Sequence, residues 1–502
     1  MKRMNTQVLM ALTYLGNQEP FLLEADMNFN GLSVIRLLIL GPCLFISQGC
    51  EYLDTDVDDN AEKVDANGLL IAVMGNFKDS QDPFARGVKM AAEEINLAGG
   101  IGGRNISLVY RNSGCSDSVA EYQAETLLEK YPNIVAVAGP ECSGAGGSVN
   151  AIMGSEGIPI IAFTTSSPSL SLNDNFYRLQ SSDVTIAASF VDAILDQQSE
   201  LSNGNYNNAG ASANTIKLAI LYNDDAYTAG LASGIQTAFN AATVPGLTLE
   251  ISEFDSFTNG EVDFSTEIDD LNIDAHGIDV IAFMGFKTEI ANFSQNLAST
   301  QGYDAGIPIY VPNLKDTVLE EGNENIIVNM RALTPNGAID ENVFPNLSDF
   351  LLEFNNRYSS NETQEDAAQG YDAMMLIGLS LLQGHSDGDM DVNTDTTGAI
   401  RAGILTNLTD VSRGAADFED SESATLYIEP GEYSIAVSAF INNDTQDLNY
   451  NGASGYIDFD SNGDINYGAY YIQKVVYSTD SNEYVAENLE LNCYGPSACN
   501  TP

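Results

Sequence analysis

Between Ile134 and Met153 the chain reads IVAVAGPECSGAGGSVNAIM, the densest stretch of potential chemistry in the sequence. An apolar run from Ile134 to Ala138 meets the turn formers Gly139, Pro140, Gly144, Gly146 and Gly147, and a helix-like run follows. A turn of this kind leaves backbone N–H groups free at a helix start, where a phosphate or a carboxylate binds. Phosphate binding of the P-loop type needs a Lys-Ser or Lys-Thr pair to close the turn, and none follows Gly144. Nucleophilic hydrolysis needs glycines two residues to either side of the serine, but Ser143 has Glu141 and Ala145 there. A base is also scarce, because His276 and His385 are the only histidines. The turn therefore reads as a cradle for an anion that is bound and not transformed, with a Ser143-dependent hydrolase as the remote alternative.

A second stretch, DFDSNGD, matches the first half of a calcium loop through Asp458, Asp460, Asn462 and Gly463. Ala469 stands where the closing bidentate glutamate belongs, and the flanking runs look like strands. A solvated turn is expected here, with Asn462-Gly463 marking a hairpin. No metal site and no cofactor are expected.

The elements that must position these turns follow from hydrophobic periodicity. From Leu69 the runs LLIAVMG, GVKMAAEEINLAG, ISLVYRN, AEYQAETLLEKY, IVAVAG, SVNAIMGSEG and IPIIAFT alternate between strand and helix patterns. The strands are apolar on both faces, as in a parallel sheet covered by helices on each side. A second series begins after Asp183 with IKLAILYN, TAGLASGIQTAFNAA, TLEISEFD, IDVIAFMG and IPIYVPN. The fold class is α/β, with two doubly wound parallel-sheet lobes and a cleft between them. The stretch from Glu200 to Thr215 reads as a polar insert between elements.

Composition limits the partners. The 502 residues carry 19 Lys and Arg against 71 Asp and Glu, a formal charge of −52, so nucleic acid and anionic membrane surfaces are excluded as partners. The acids read as a solvated surface kept soluble in a salty medium. The apolar stretch from Leu32 to Ser47 has the length of a signal-peptide core, and Met27 is the expected start. Gly49-Cys50 after it resembles a bacterial lipoprotein signal, which makes Cys50 an acylation site; simple signal-peptidase cleavage is the alternative. Residues 1–50 are thus an extension and signal, and the acidic stretch 51–67 is a flexible tether. The expected location is the periplasm or cell surface, with membrane contact only through the lipid.

The order of motifs resembles one family, the type I periplasmic binding proteins, and within it the leucine/isoleucine/valine-binding branch. The resemblance is carried by GNFKDSQDPFARGVKMAAEEINLAGGIGGR, GPECSG, GIPIIAFTTSSPSL, YRLQSSD, LAILYNDDAYTAGLASG, IDVIAFMGF, QGYDAMMLIG and GYIDFDSNGDI. It implies two lobes joined by a three-crossing hinge near Asp183, Arg331 and Ile465. Residues 68–183 with 332–465 would form lobe 1, residues 184–331 with 466–490 lobe 2, and residues 491–502 a tail. It also implies a solute receptor that delivers an amino acid or similar small carboxylate to the permease of an ABC importer, and no enzyme. A sensor or regulatory receptor on the same fold is the alternative.

Carried over residue by residue, the resemblance makes Ser143 the hydroxyl donor to the ligand carboxylate, and the cradle a carboxylate site. Thr164 and Ser166 in TTSSPSL become the second carboxylate contact, through backbone and hydroxyl respectively. Tyr227 would lie over the ligand, with Phe286 beside it, and Asp316 would hold an α-ammonium group. Phe77 and Ser80 would line the side-chain pocket. Tyr371 and Asp372 would pack a helix against the cleft wall. Some amino-acid binders of this family carry a disulfide where Cys115 and Cys142 lie, in loops after neighbouring strands, so this pair is expected to be oxidised in an exported protein. By the same reasoning Cys493 and Cys499 would close a small loop.

Overall fold

The computed structural model describes residues 64–65, 67–77, 82–172, 174–196, 215–300, 306–335, 346–358, 365–412, 425–441, 447–465 and 468–494. The expected signal segment, Cys50, Ser80 and Cys499 lie outside the described residues, as does the side chain of Cys493.

The first sheet has five parallel strands: β1 (Leu69–Gly75), β2 (Ile106–Asn112), β3 (Ile134–Ala138), β4 (Ile160–Ala162) and β5 (Phe176–Arg178), in the order β2-β1-β3-β4-β5. Its strands are buried on both faces because their alternate side chains enter different cores. Leu69, Ile71 and Val73 pack with the helices α1 (Pro83–Leu97) and α9 (Glu365–Asp387), whereas Leu70, Ala72 and Met74 pack with α2 (Asp117–Lys130) and α3 (Ser143–Met153). At the crossing of α1 and α9 the two backbones touch. A Cβ on Gly87 would lie 2.0 Å from the Ala367 carbonyl oxygen, and one on Gly370 would lie 2.2 Å from that of Phe84.

After β5 the chain enters α4 (Asp183–Asp196), whose Ile186, Phe190 and Ile194 belong to the core beneath a second sheet. That sheet runs β15-β14-β10-β9-β8-β6-β7, built from β6 (Thr215–Asn223), β7 (Thr248–Phe257), β8 (Val280–Met284), β9 (Ile309–Val311), β10 (Met330–Pro335), β14 (Gly468–Ser478) and β15 (Glu483–Tyr494). The helices α5 (Ala226–Ala241) and α6 (Lys287–Ser299) cover opposite faces of it, sharing separate cores with it. Its strands β6 to β10 are parallel as expected, but β14 and β15 form an antiparallel hairpin on β10. Between Pro335 and Gly468 the chain returns to the first unit with α7 (Asp316–Glu321) left behind, adding α8 (Leu347–Tyr358), α9 and α10 (Thr397–Leu408). It also adds a small sheet of β11 (Thr425–Ile428), β12 (Asp447–Gly452) and β13 (Gly455–Tyr456), which the periodicity does not announce. The final strand, β15, runs on through Tyr494, into the stretch read as a tail.

The turn at Asn462-Gly463 differs from expectation. It does not join long strands: Phe459 and Ile465 form a single antiparallel bridge, and Gly463 takes φ +76°. Nor is it solvated. Asp460 accepts the amides of Asn462 (2.7 Å) and Asp464 (3.0 Å), and Asp464, only 9% exposed, pairs with the fully buried Arg178 at 2.6 Å. Its carboxylates are consumed in folding the turn and anchoring it to β5, which explains why they resemble a cation loop without completing one.

Candidate functional site

In both sheets the carboxyl ends of the strands carry the residues singled out by sequence. The first sheet presents Asn76 after β1, Gly139 to Ser143 after β3 and Phe163 to Ser167 after β4; the second presents Asp225 to Tyr227 after β6, Phe286 after β8 and Asp316 after β9. Loops at the carboxyl edge of an open α/β sheet are where such folds place ligands.

Ser143 is the first residue of α3, 6% exposed, and its hydroxyl does not cap its own helix. Its Oγ accepts hydrogen bonds from the amides of Ser166 and Ser167, both at 3.2 Å, which ties the turn after β3 to the turn after β4. With both bonds accepted, the hydroxyl proton remains to be donated to a third group. Thr164, half-buried, donates its hydroxyl to the Glu141 carbonyl at 2.9 Å, and Ser166 is buried beneath it. Ser143, Thr164 and Ser166 thus form one cluster, at a helix N-terminus whose partial positive charge suits an anion.

The second unit reaches this cluster through α5. Asp225 caps the helix by accepting the Tyr227 amide at 2.9 Å. At Gly230 the helix comes so near that a Cβ would lie 2.8 Å from Pro168 Cδ and 3.2 Å from Ser167 Oγ, so only glycine permits the contact. A cleft of about 360 Å³ opens beside this junction, lined by Asp117, Glu121, Ser143, Gly147, Ser169 and Ala226. Asp183, fully buried at the start of α4, lies 3.6 Å from the same Gly230 position. Burial pushes its carboxyl up to about 7, against the Ser166 hydroxyl and Arg178, which favour its charge. Burial and then Asp183 push the Tyr227 hydroxyl well above the usual tyrosine range, so it stays a protonated donor.

The remaining expected residues do not join this cluster. Phe286 is 36% exposed at the carboxyl end of β8, and Asp316 is exposed at the start of a six-residue helix. Phe77 is fully buried, its ring edge-on to Tyr110 at 6.4 Å, and belongs to the core of the first unit. Tyr371 and Asp372 are engaged in packing α9: Tyr371 bonds to Glu94 and to the Gly431 amide, and Asp372 holds the small sheet.

Sequence reasoning missed Glu141, which it saw only as an interruption of a nucleophile motif. Its Oε1 accepts the Asn76 amide at 2.5 Å, while its Oε2 is out of solvent with no hydrogen-bond partner. Burial raises this carboxyl to about 7; the Asn76 amide opposes the rise and the nearby Asp82 and Asp366 add to it. A charged residue inside an otherwise small, glycine-rich turn is the signal that could have found it.

Cys115 and Cys142 lie sulfur to sulfur, with Cα atoms 5.3 Å apart, beside Glu141 Oε1. Their separation of 27 residues sets an expectation for a bridge closed in solution. By the chain-entropy estimate reduction should remove about 3.5 kcal/mol of stability. Urea unfolding with and without a reducing agent measures it, and an unchanged midpoint would show the pair to be free thiols.

Residues 68–413 match the periplasmic binding protein family. Among curated proteins, a Leu/Ile/Val-binding protein homolog 7 of Brucella abortus is 23% identical over 321 residues, 63% of this chain and 75% of that protein. Among solved structures, an ABC transporter substrate-binding protein from Desulfitobacterium hafniense in complex with Leu superposes with a TM-score of 0.54 at 21% identity, covering 84% of this chain and all of that one. A solute-binding protein of an R. palustris ABC transporter in complex with benzoate gives a TM-score of 0.54 at 15% identity, covering 86% of this chain and 98% of that one.

Proposed function

Because the chain belongs to the periplasmic binding protein family, we propose that it is an extracytoplasmic receptor that captures an amino acid or similar small carboxylate between its two lobes and hands it to the permease of an ABC importer. The observation that carries this reading is the Ser143 hydroxyl, held by two amides at a helix N-terminus with its proton uncommitted. A carboxylate there would accept that proton and the amides of the turn, charge-assisted bonds of the stronger kind. The similar binding proteins of Desulfitobacterium hafniense and R. palustris were solved in complex with Leu and with benzoate, both carboxylates. Ligand contact with both lobes would stabilise only the closed arrangement, so binding alone drives closure. The lobes would be 68–183 with 332–465 and 184–331 with 466–490, turning about the crossings near Asp183, Arg331 and Ile465. Cys50 would carry the lipid that keeps the receptor near its permease. Among the described residues no helix is long and apolar enough to cross a membrane.

A thermal-shift screen against amino acids and small carboxylates tests the reading, since a ligand at 100 times its Kd adds about 2.7 kcal/mol to native stability. Ser143→Ala should then weaken the best hit by about 1.5–3 kcal/mol, the scale of a hydrogen bond to a charged group. Undiminished affinity in calorimetric titration would remove Ser143 from the site.

A further inference from the structure

We propose that Glu141 receives a cationic group of the ligand, so that the turn after β3 selects zwitterions such as amino acids over carboxylates without a cation. This rests on the carboxylate reading of the Ser143 turn and adds the second charge of the ligand. The charges of two other acids, Asp82 from the residue before α1 and the exposed Asp366 from the first turn of α9, act on the Glu141 carboxyl in the turn after β3. Asp82 is engaged as the cap of α1, accepting the Phe84 amide at 3.0 Å, and Lys315 from the second unit acts on Asp366. Only Glu141 keeps an oxygen, Oε2, that is out of solvent with no donor. A buried acceptor without a donor is costly, and one beside two further acids is met best by a positive donor. Glu141 lies in the turn at the carboxyl end of β3, the edge at which open α/β sheets place their ligands. Glu141 is also two residues from Ser143, which places a site for each charge of a zwitterion on one turn. Asp316, the residue expected to hold an ammonium group, is exposed.

Among the described residues, the charged groups that act on Glu141 are Asp82 and Asp366, Lys315 acts on Asp366, and the Cys115–Cys142 pair lies beside Glu141 Oε1. Free Glu141 titrates near 7, and an ammonium ligand needs it ionised. Affinity should therefore rise with pH, by roughly tenfold or more from pH 5.5 to pH 8. Asp183 titrates in the same range, so the wild type is compared with Glu141→Gln, which should lose that slope. Calorimetric titrations would use leucine and lysine against 4-methylpentanoate and benzoate, with thermal melts to verify folding of the variant. The expected result is tenfold or stronger preference for the amino acids, lost in Glu141→Gln and unaltered in Asp316→Asn. Equal affinity for 4-methylpentanoate and leucine, or an affinity flat with pH in the wild type, overturns the proposal while the carboxylate reading stands. Failure of all four probes to bind the wild type overturns both.

Discussion

Asp372→Ala will cost the protein about 3–5 kcal/mol of unfolding free energy, the scale of breaking a buried, fully bonded charged group. Asp372 is fully buried within α9 and its carboxylate accepts four hydrogen bonds: Tyr450 hydroxyl at 2.5 Å, Ala453 amide at 2.8 Å, Ser454 amide at 2.7 Å and Ser454 hydroxyl at 2.5 Å. All four donors come from the end of β12 and its turn into β13. Alanine leaves them in the core without an acceptor, so the small sheet loses its attachment to the helix. Burial outweighs the four donors and raises the carboxyl above the usual aspartate range. Asp372→Asn should recover only part of the loss, because an amide turns one donor toward other donors. Equilibrium urea unfolding is the measurement. Tyr450→Phe combined with Asp372→Ala should be markedly less than additive, since both remove the same bond. A loss below about 1 kcal/mol for Asp372→Ala would contradict the anchoring role.

The second large effect belongs to Arg178, whose guanidinium is fully buried. It bonds to Asp464 Oδ1 at 2.6 Å, to the Ser167 carbonyl at 2.7 Å and to the Ser171 hydroxyl at 2.6 Å, and Ser171 in turn donates to Asp464 Oδ2 at 2.7 Å. Arg178→Ala strands a carboxylate and two further acceptors, an expected cost of about 3–5 kcal/mol. It should also weaken ligand binding, because the Ser167 amide is one of the two that hold Ser143. Arg178→Lys keeps the charge but cannot reach three acceptors with a planar fork, and should fall between. Denaturant unfolding and ligand titration on the same samples give both numbers. Unfolding within about 1 kcal/mol of wild type would show that water replaces the guanidinium.

The contrast between these residues and the strands shows what the sequence could and could not disclose. LLIAVMG and IVAVA announced themselves as strands because every residue is apolar and both faces of the first sheet are covered. The carboxyl-end turn at Ser143 was legible for the same reason: its glycines interrupt an apolar run just where a helix begins. Arg178 and Asp464 were not, because they stand 286 positions apart and nothing local to either requires the other. Glu141 stood in the sequence only as an interruption of a nucleophile motif, because its partner, the Asn76 amide, lies 65 positions away. Phe77, which the family resemblance made a pocket residue, is fully buried beside Tyr110 in the core of the first unit. The small third sheet escaped for a related reason, since its short strands are fixed by Asp372 and not by their own periodicity.

The glycine contact between α1 and α9 makes these two helices a strut. Packed helices slide past each other by letting flexible side chains exchange rotamers, the small shear that many proteins use to change shape. At Gly87 and Gly370 no side chain lies between the helices, and a carbonyl of each backbone sits where the other's Cβ would be. Sliding by even a fraction of a turn would drive backbone into backbone. A Cβ added at Gly87 or Gly370 would therefore have to push the starts of α1 and α9 apart, so the two helices move as one piece at this crossing.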